Sequence, residues 1–118
     1  MSAPLLKKRL RDDLKVAIRA RSTDEVRLLR TLIAALDNAE AVPTATDGPA
    51  TPRAGTRAFG DPSGEVARRE IDEASLDALL ADEAGARLAA AGDYDRHGQG
   101  AEAARLRKEA ELIARYRA

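Results

Sequence analysis

Apolar residues recur at helical spacing in four stretches of the chain, and the pattern lapses between the second and the third. In the first stretch Leu6, Leu10, Leu14 and Ile18 fall every four residues, which predicts a helix over 4–20 with this stripe as its core face. Ser2, Ala3 and Pro4 open it plausibly, because a proline in the first turn lacks only a donor that would be unpaired there anyway. A Ser-x-x-Glu capping box at Ser22 and Glu25 sets the start of a second helix near Thr23. Val26, Leu29, Leu32, Ile33 and Leu36 give that helix an apolar face up to Ala41. The short link makes 4–41 an antiparallel hairpin.

From 42 to 65 the text holds Pro43, Pro49, Pro52, Pro62 and four glycines, with Phe59 the one large apolar residue inside it. Such a stretch buries too little to offset its ordering entropy, so a flexible, disordered linker is expected. Residues 66–71 are ambiguous. Asp72 then caps a long third helix running to about His97, whose face carries Leu76, Leu79, Leu80, Ala84, Leu88, Ala91 and Tyr94. Gly85 and Gly92 each cost such a helix ~1 kcal/mol relative to alanine, which suggests close packing against a neighbour or local fraying. Gly98 and Gly100 break the chain, and a fourth helix from Ala101 to Tyr116 folds back with Ala103, Leu106, Ala110, Ile113 and Tyr116 inward. The fold class is all-α: two antiparallel helical hairpins, 4–41 and 72–117, forming one small four-helix domain over 1–118 with a long linker between them.

Composition sharpens this picture. The chain has 118 residues, of which 44% are hydrophobic and only 3% aromatic, and 26 are alanine. Alanine is the best helix former but buries little area, so the core is thin, aliphatic and helical. Lys and Arg number 20 against 20 Asp and Glu, which rules out a strongly basic nucleic-acid module but leaves room for a local basic face. With no cysteine and one histidine, disulfides, thiolate zinc sites and histidine metal clusters are not expected, nor is a cofactor. Charges begin at Lys7 and no run of ~18 apolar residues occurs, so neither a signal segment nor a membrane span is expected, and a cytoplasmic location is.

Catalytic chemistry is hard to find. His97 stands before Gly98 at the expected end of the third helix, where it suits the last carbonyls better than general-base work. Adjacent carboxylates at Asp12 and Asp13, Asp72 and Glu73, and Asp82 and Glu83 point ~100° apart on a helix and do not share a proton. Gly98-Gln99-Gly100 follows a helix and lacks the ending of a phosphate loop. The best candidate site is basic. Lys7, Arg11, Lys15 and Arg19 form a second four-residue series beside the apolar stripe, setting four cations along ~18 Å, a spacing that suits successive phosphates. An ordinary solvated face is the plainer reading, and Asp12 and Asp13 weaken the field. Residues 1–42 carry 9 basic and 6 acidic side chains and 72–118 carry 7 and 10, an asymmetry that fits either a polyanion ligand or attraction between the halves.

Two segments, DLKVAIRAR (13–21) and LLRTLIAALDNAE (28–40), resemble the opening of the GatB/YqeY family, small helical proteins similar to the tail domain of the tRNA-dependent amidotransferase B subunit. Asp13, Leu14, Lys15, Leu29, Arg30, Asn38 and Glu40 carry this part of the resemblance. Glu83, Arg87, Tyr94 and Gly98 fall where the family has its E-x-x-x-R, aromatic and helix-ending glycine, and Lys108, Glu109, Glu111 and Tyr116 resemble its next helix. The resemblance covers roughly 1–41 and 70–116. It departs at Leu88, where the family usually has a second arginine, and at Tyr116-Arg117-Ala118, where the family continues through Tyr-Leu-Pro into a three-helix subdomain; a short form without that subdomain is expected.

The resemblance implies a tRNA-associated accessory role, in contact with tRNA or an aminoacylation or amidotransferase complex. It also implies a link to carbon–nitrogen ligases that use glutamine as amide donor, without a catalytic centre in this chain. Lys7, Arg11, Lys15, Arg19 and Arg30 are the candidate nucleic-acid contacts. A protein-interaction module using the exposed faces of the third and fourth helices is the alternative.

Overall fold

The computed structural model describes residues 1–41 and 70–117. Four helices occupy them: α1 (Ala3–Arg19), α2 (Thr23–Ala41), α3 (Glu73–Arg96) and α4 (Gly100–Ala114), with no strand among the described residues. The protein is all-α, as the periodicity predicts. The linker at 42–65 and most of the ambiguous stretch after it lie outside the described residues; Glu70 and Ile71 precede α3 without helical structure.

Each hairpin turn is closed by the same device. At the end of α1 the Ser22 N–H donates to the Ala17 carbonyl and the Arg21 N–H to the Ile18 carbonyl, the paired bonds of a Schellman motif. At the end of α3 the Gln99 N–H donates to the Tyr94 carbonyl and the Gly98 N–H to the Asp95 carbonyl. The motif needs a left-handed residue, supplied by Gly98 at φ 74 in one turn and by Arg21 at φ 58 in the other. The helix starts are capped as their residue types require: Ser2 Oγ accepts from the Leu5 N–H at 3.3 Å, and Asp72 Oδ1 from the Ser75 N–H at 2.7 Å. That bond holds the Asp72 carboxyl below its ordinary range.

All four helices feed one aliphatic core, whose fully buried large side chains are Leu6, Leu10, Leu28, Leu32, Leu36, Leu80 and Ile113. Ala3, Ala17, Leu29, Leu76 and Tyr116 complete it. A second, smaller cluster of Ala91, Ala103 and Leu106, with Ala90 and Tyr94 against it, closes α3 on α4 nearer their turn. The four-residue stripe on α1 is only half correct. Four residues advance a helix ~400°, so the series drifts ~40° per step and Ile18 ends up ~120° from Leu6. Ala17, ~20° away, takes the inward place at 4% exposure, Leu14 is half-buried and Ile18 is 49% exposed. Leu88, eight residues after Leu80, rotates out in the same way and is 51% exposed. Leu28 is buried beside Leu29, so α2 buries an arc wider than its expected face.

The α3 glycines do not mark close packing. A methyl group at Gly85 would meet nothing within 4 Å, and one at Gly92 only Arg96 Nη1 at 3.9 Å. The helix is also continuous through both residues. A single thermal-denaturation series tests the backbone argument. Gly85→Ala is expected to stabilise the protein by about 0.5–1 kcal/mol and Arg21→Gly by a similar amount, whereas Gly98→Ala, forced into a left-handed φ, destabilises it by about 1 kcal/mol. A rise in melting temperature for Gly98→Ala, or a fall for Arg21→Gly, would contradict the turn assignment.

Candidate functional site

The fold sorts the charged residues into those tied to one another across helix interfaces and those left outward. The most buried ionic group joins α3 to α4. Glu109 is 8% exposed and is bracketed by two arginines: Arg87 Nε donates to its Oε1 at 3.0 Å and Arg105 Nη1 to its Oε2 at 2.9 Å. Arg87 Nη1 also donates to the Glu83 carbonyl and to Glu83 Oε1, both at 2.9 Å. Arg105, on the same helix as Glu109, also makes two bonds to the Glu102 carboxylate, at 2.9 and 3.2 Å. The result is a continuous chain, Glu83–Arg87–Glu109–Arg105–Glu102, with charges alternating in sign. The bond from Arg105 pulls the Glu102 carboxyl below its ordinary range, and the same bond drives the guanidinium upward.

Three of the residues marked by the family resemblance, Glu83, Arg87 and Glu109, are therefore brought together, as a clamp between helices. Arg105 and Glu102 were not singled out from sequence. Their signal was present as i, i+3 and i, i+4 spacings, Glu102 to Arg105 to Glu109, but such pairs are common on solvated helices.

Asp13 and Tyr116 form a second pair. The Tyr116 hydroxyl donates to Asp13 Oδ2, and the Arg9 guanidinium lies 5.3 Å from the centre of the tyrosine ring. Burial first, and then the hydrogen bond to the carboxylate, push the phenol well above its usual range. Tyr116 lies just past the last residue of α4, yet it is only 8% exposed, so it acts as a plug against α1.

The candidate basic series divides. Lys7, with 14% of its side chain exposed, is held by Glu40 at 2.7 Å and Asp37 at 3.2 Å. The bond to Glu40, against the opposing effect of burial and with the help of Asp37, raises the ammonium above its ordinary range. Lys7 thus joins α1 to α2, and Glu40 is its partner. Arg11, Lys15 and Arg19 are exposed and held by no salt bridge among the described residues, and Arg30 on α2 is exposed likewise. Lys8, one residue on, pairs with Asp12 at 3.0 Å and lowers that carboxyl.

Asn38 is exposed, Leu29 belongs to the core, Leu14 is packed at its edge and Tyr94 packs on the smaller cluster. His97 Nδ1 lies 2.8 Å from the Asp93 carbonyl, which can only accept, so that nitrogen carries the proton and caps the helix end. Among the described residues no group of three His, Cys, Asp or Glu side chains could hold a metal ion, and no helix is long and apolar enough to cross a membrane. The chain matches no protein-family model, no curated protein and no solved structure.

The Tyr116 environment gives a pH prediction. A phenol titrates near 10 in the unfolded chain and higher in the folded one, so its stabilising effect is complete below pH ~10 and is lost as pH rises through the folded value. Absorbance titration should show a late tyrosine step, above the ordinary phenol range, that belongs to Tyr116. In Tyr116→Phe the late step should vanish and stability fall by about 1–3 kcal/mol, because Asp13 loses its donor. A native protein with no such late step would contradict the buried Tyr116–Asp13 pair.

Proposed function

We propose that the protein is an accessory helical module that associates with tRNA through the outward face of α1, in the manner the resemblance to the GatB/YqeY family implies, and that it contributes no catalytic centre of its own. The observation that carries the proposal is the set of exposed cations Arg11, Lys15 and Arg19, held by no salt bridge among the described residues, on one side of a helix whose opposite side is core. Cations already satisfied by carboxylates, such as Lys7 and Arg87, gain little from a phosphate; unpaired ones release counterions on binding. With Lys7 occupied, α1 offers about three phosphate contacts, and its share of the logarithmic salt slope is at most about −2 to −3.

Leu88 supports the other reading, a protein-interaction module, because it stands half-exposed on α3 away from the core. That reading gains if the RNA test fails. The test is binding of unfractionated tRNA at several salt concentrations. Lys15→Gln with Arg19→Gln should lower the slope by about 1.5–2 units with helicity unchanged, since glutamine is a comparable helix former and neither residue is buried. No affinity of the native protein at ~50 mM salt, or an unchanged slope in the double variant, would show that the α1 face is merely solvated.

A further inference from the structure

We infer that a second copy of this chain docks on a narrow strip of α1, helix against antiparallel helix, so that the protein forms a two-fold symmetric dimer. Leu5, Arg9, Asp12 and Val16 stand four, three and four residues apart, the seam spacing of a helix pair, and fall within an arc of ~60°. That arc lies ~110° around the helix from the core line of Leu6, Leu10 and Ala17, so the strip is not part of the core. All four residues are exposed. Leu5 at 55% and Val16 at 60% are the most exposed large hydrophobic side chains among the described residues.

The order of the residues in the strip specifies its occupant. Turned end for end about a two-fold axis level with the midpoint between Leu10 and Arg11, a second copy presents Val16 to Leu5 and Asp12 to Arg9, and the reverse by symmetry. The apolar residues then cover each other and each charge meets its opposite, so the strip is complementary to itself. A parallel copy in register would instead set arginine on arginine and aspartate on aspartate. The Arg9 guanidinium is steadied 5.3 Å from the centre of the Tyr116 ring. Asp12 uses Oδ2 for Lys8 at 3.0 Å, and its Oδ1 can accept from a second donor. With 20 basic and 20 acidic residues in the chain, two copies approach without net repulsion.

The interface is small, one helix of 17 residues a side with two apolar side chains from each copy at the seam, so the dimer is weak and forms at roughly 0.1 mM and above. The inference does not rest on the RNA reading. A two-fold of this kind sets the Arg11 and Lys15 flanks of both copies on the same side of the pair, clear of the seam.

The experiment is sedimentation equilibrium of the full chain from about 10 μM to about 1 mM, with helicity and melting temperature checked for each variant. The native protein is expected to pass from monomer towards dimer across that range. Arg9→Glu and Asp12→Arg, each alone, put like charges opposite one another and should weaken dimerisation about tenfold or more. An equimolar mixture of these two variants should recover association at the native strength, since each supplies the charge that the other lacks; a misfolded variant could not do so. Leu88→Ser, which removes the exposed leucine of α3, should dimerise as the native protein does. A native protein that stays monomeric at about 1 mM would overturn the inference, as would either charge variant dimerising as tightly as the native chain. Weakened single variants that fail to recover on mixing would overturn the antiparallel pairing, and loss of the dimer in Leu88→Ser would overturn the assignment of the contact to α1.

Discussion

The whole arrangement depends on burying a small set of aliphatic side chains shared between two hairpins. Leu6, Leu10, Leu32 and Leu36 from the first hairpin meet Leu80 and Ile113 from the second in one cluster, with no aromatic ring at its centre. A core of this size leaves little surplus stability in a chain so rich in alanine. Each hairpin is therefore also tied internally by polar contacts, with no buried side-chain nitrogen or oxygen lacking a partner among the described residues. The Glu83–Arg87–Glu109–Arg105–Glu102 chain crosses α3 and α4 where alanines contribute little apolar area. Removing one member would leave a buried charge uncompensated, which is the costly outcome for such networks.

Much of this was legible because helices announce themselves through period and punctuation. Ser2, Asp72 and Gly98 act as the cap and turn residues their types suggest, and the inward set on α4, from Ala103 to Ile113, is buried as its spacing predicts, with Tyr116 buried beyond the helix end instead of within it. Other features were not legible, each for a physical reason. Counting by fours exaggerated the α1 stripe, because a core face follows threes and fours in alternation and so selects Ala17 over Ile18. Arg21 gave no hint of its left-handed backbone, since only the closure of the turn demands it. Lys7 looked equivalent to Arg11, Lys15 and Arg19, but it sits on the flank turned toward α2, where Asp37 and Glu40 reach it. Side-chain partners 33 or 103 positions away cannot be read from local spacing.

This sorting of charge links the fold to its proposed role. The polar residues shared with the GatB/YqeY resemblance divide into a structural group, in which Glu83, Arg87, Glu109, Asp13, Tyr116 and Glu40 bond within the protein, and an outward group in which Lys15 and Arg30 form no salt bridge among the described residues. Overall neutrality does not prevent a local cationic face when the compensating carboxylates are spent inside helix interfaces. A fold of this kind implies no activity by itself, and the weight of the proposal falls on the outward cations.

The most direct measurement follows the arginine Nε–H signals of nitrogen-15-labelled protein during titration with unfractionated tRNA at low salt. Arg11 and Arg19 are expected to shift or broaden while Arg87 and Arg105, held by Glu109, stay in place. Movement of Arg87 and Arg105 with Arg11 and Arg19 unaffected would contradict a polyanion site on the outward face of α1.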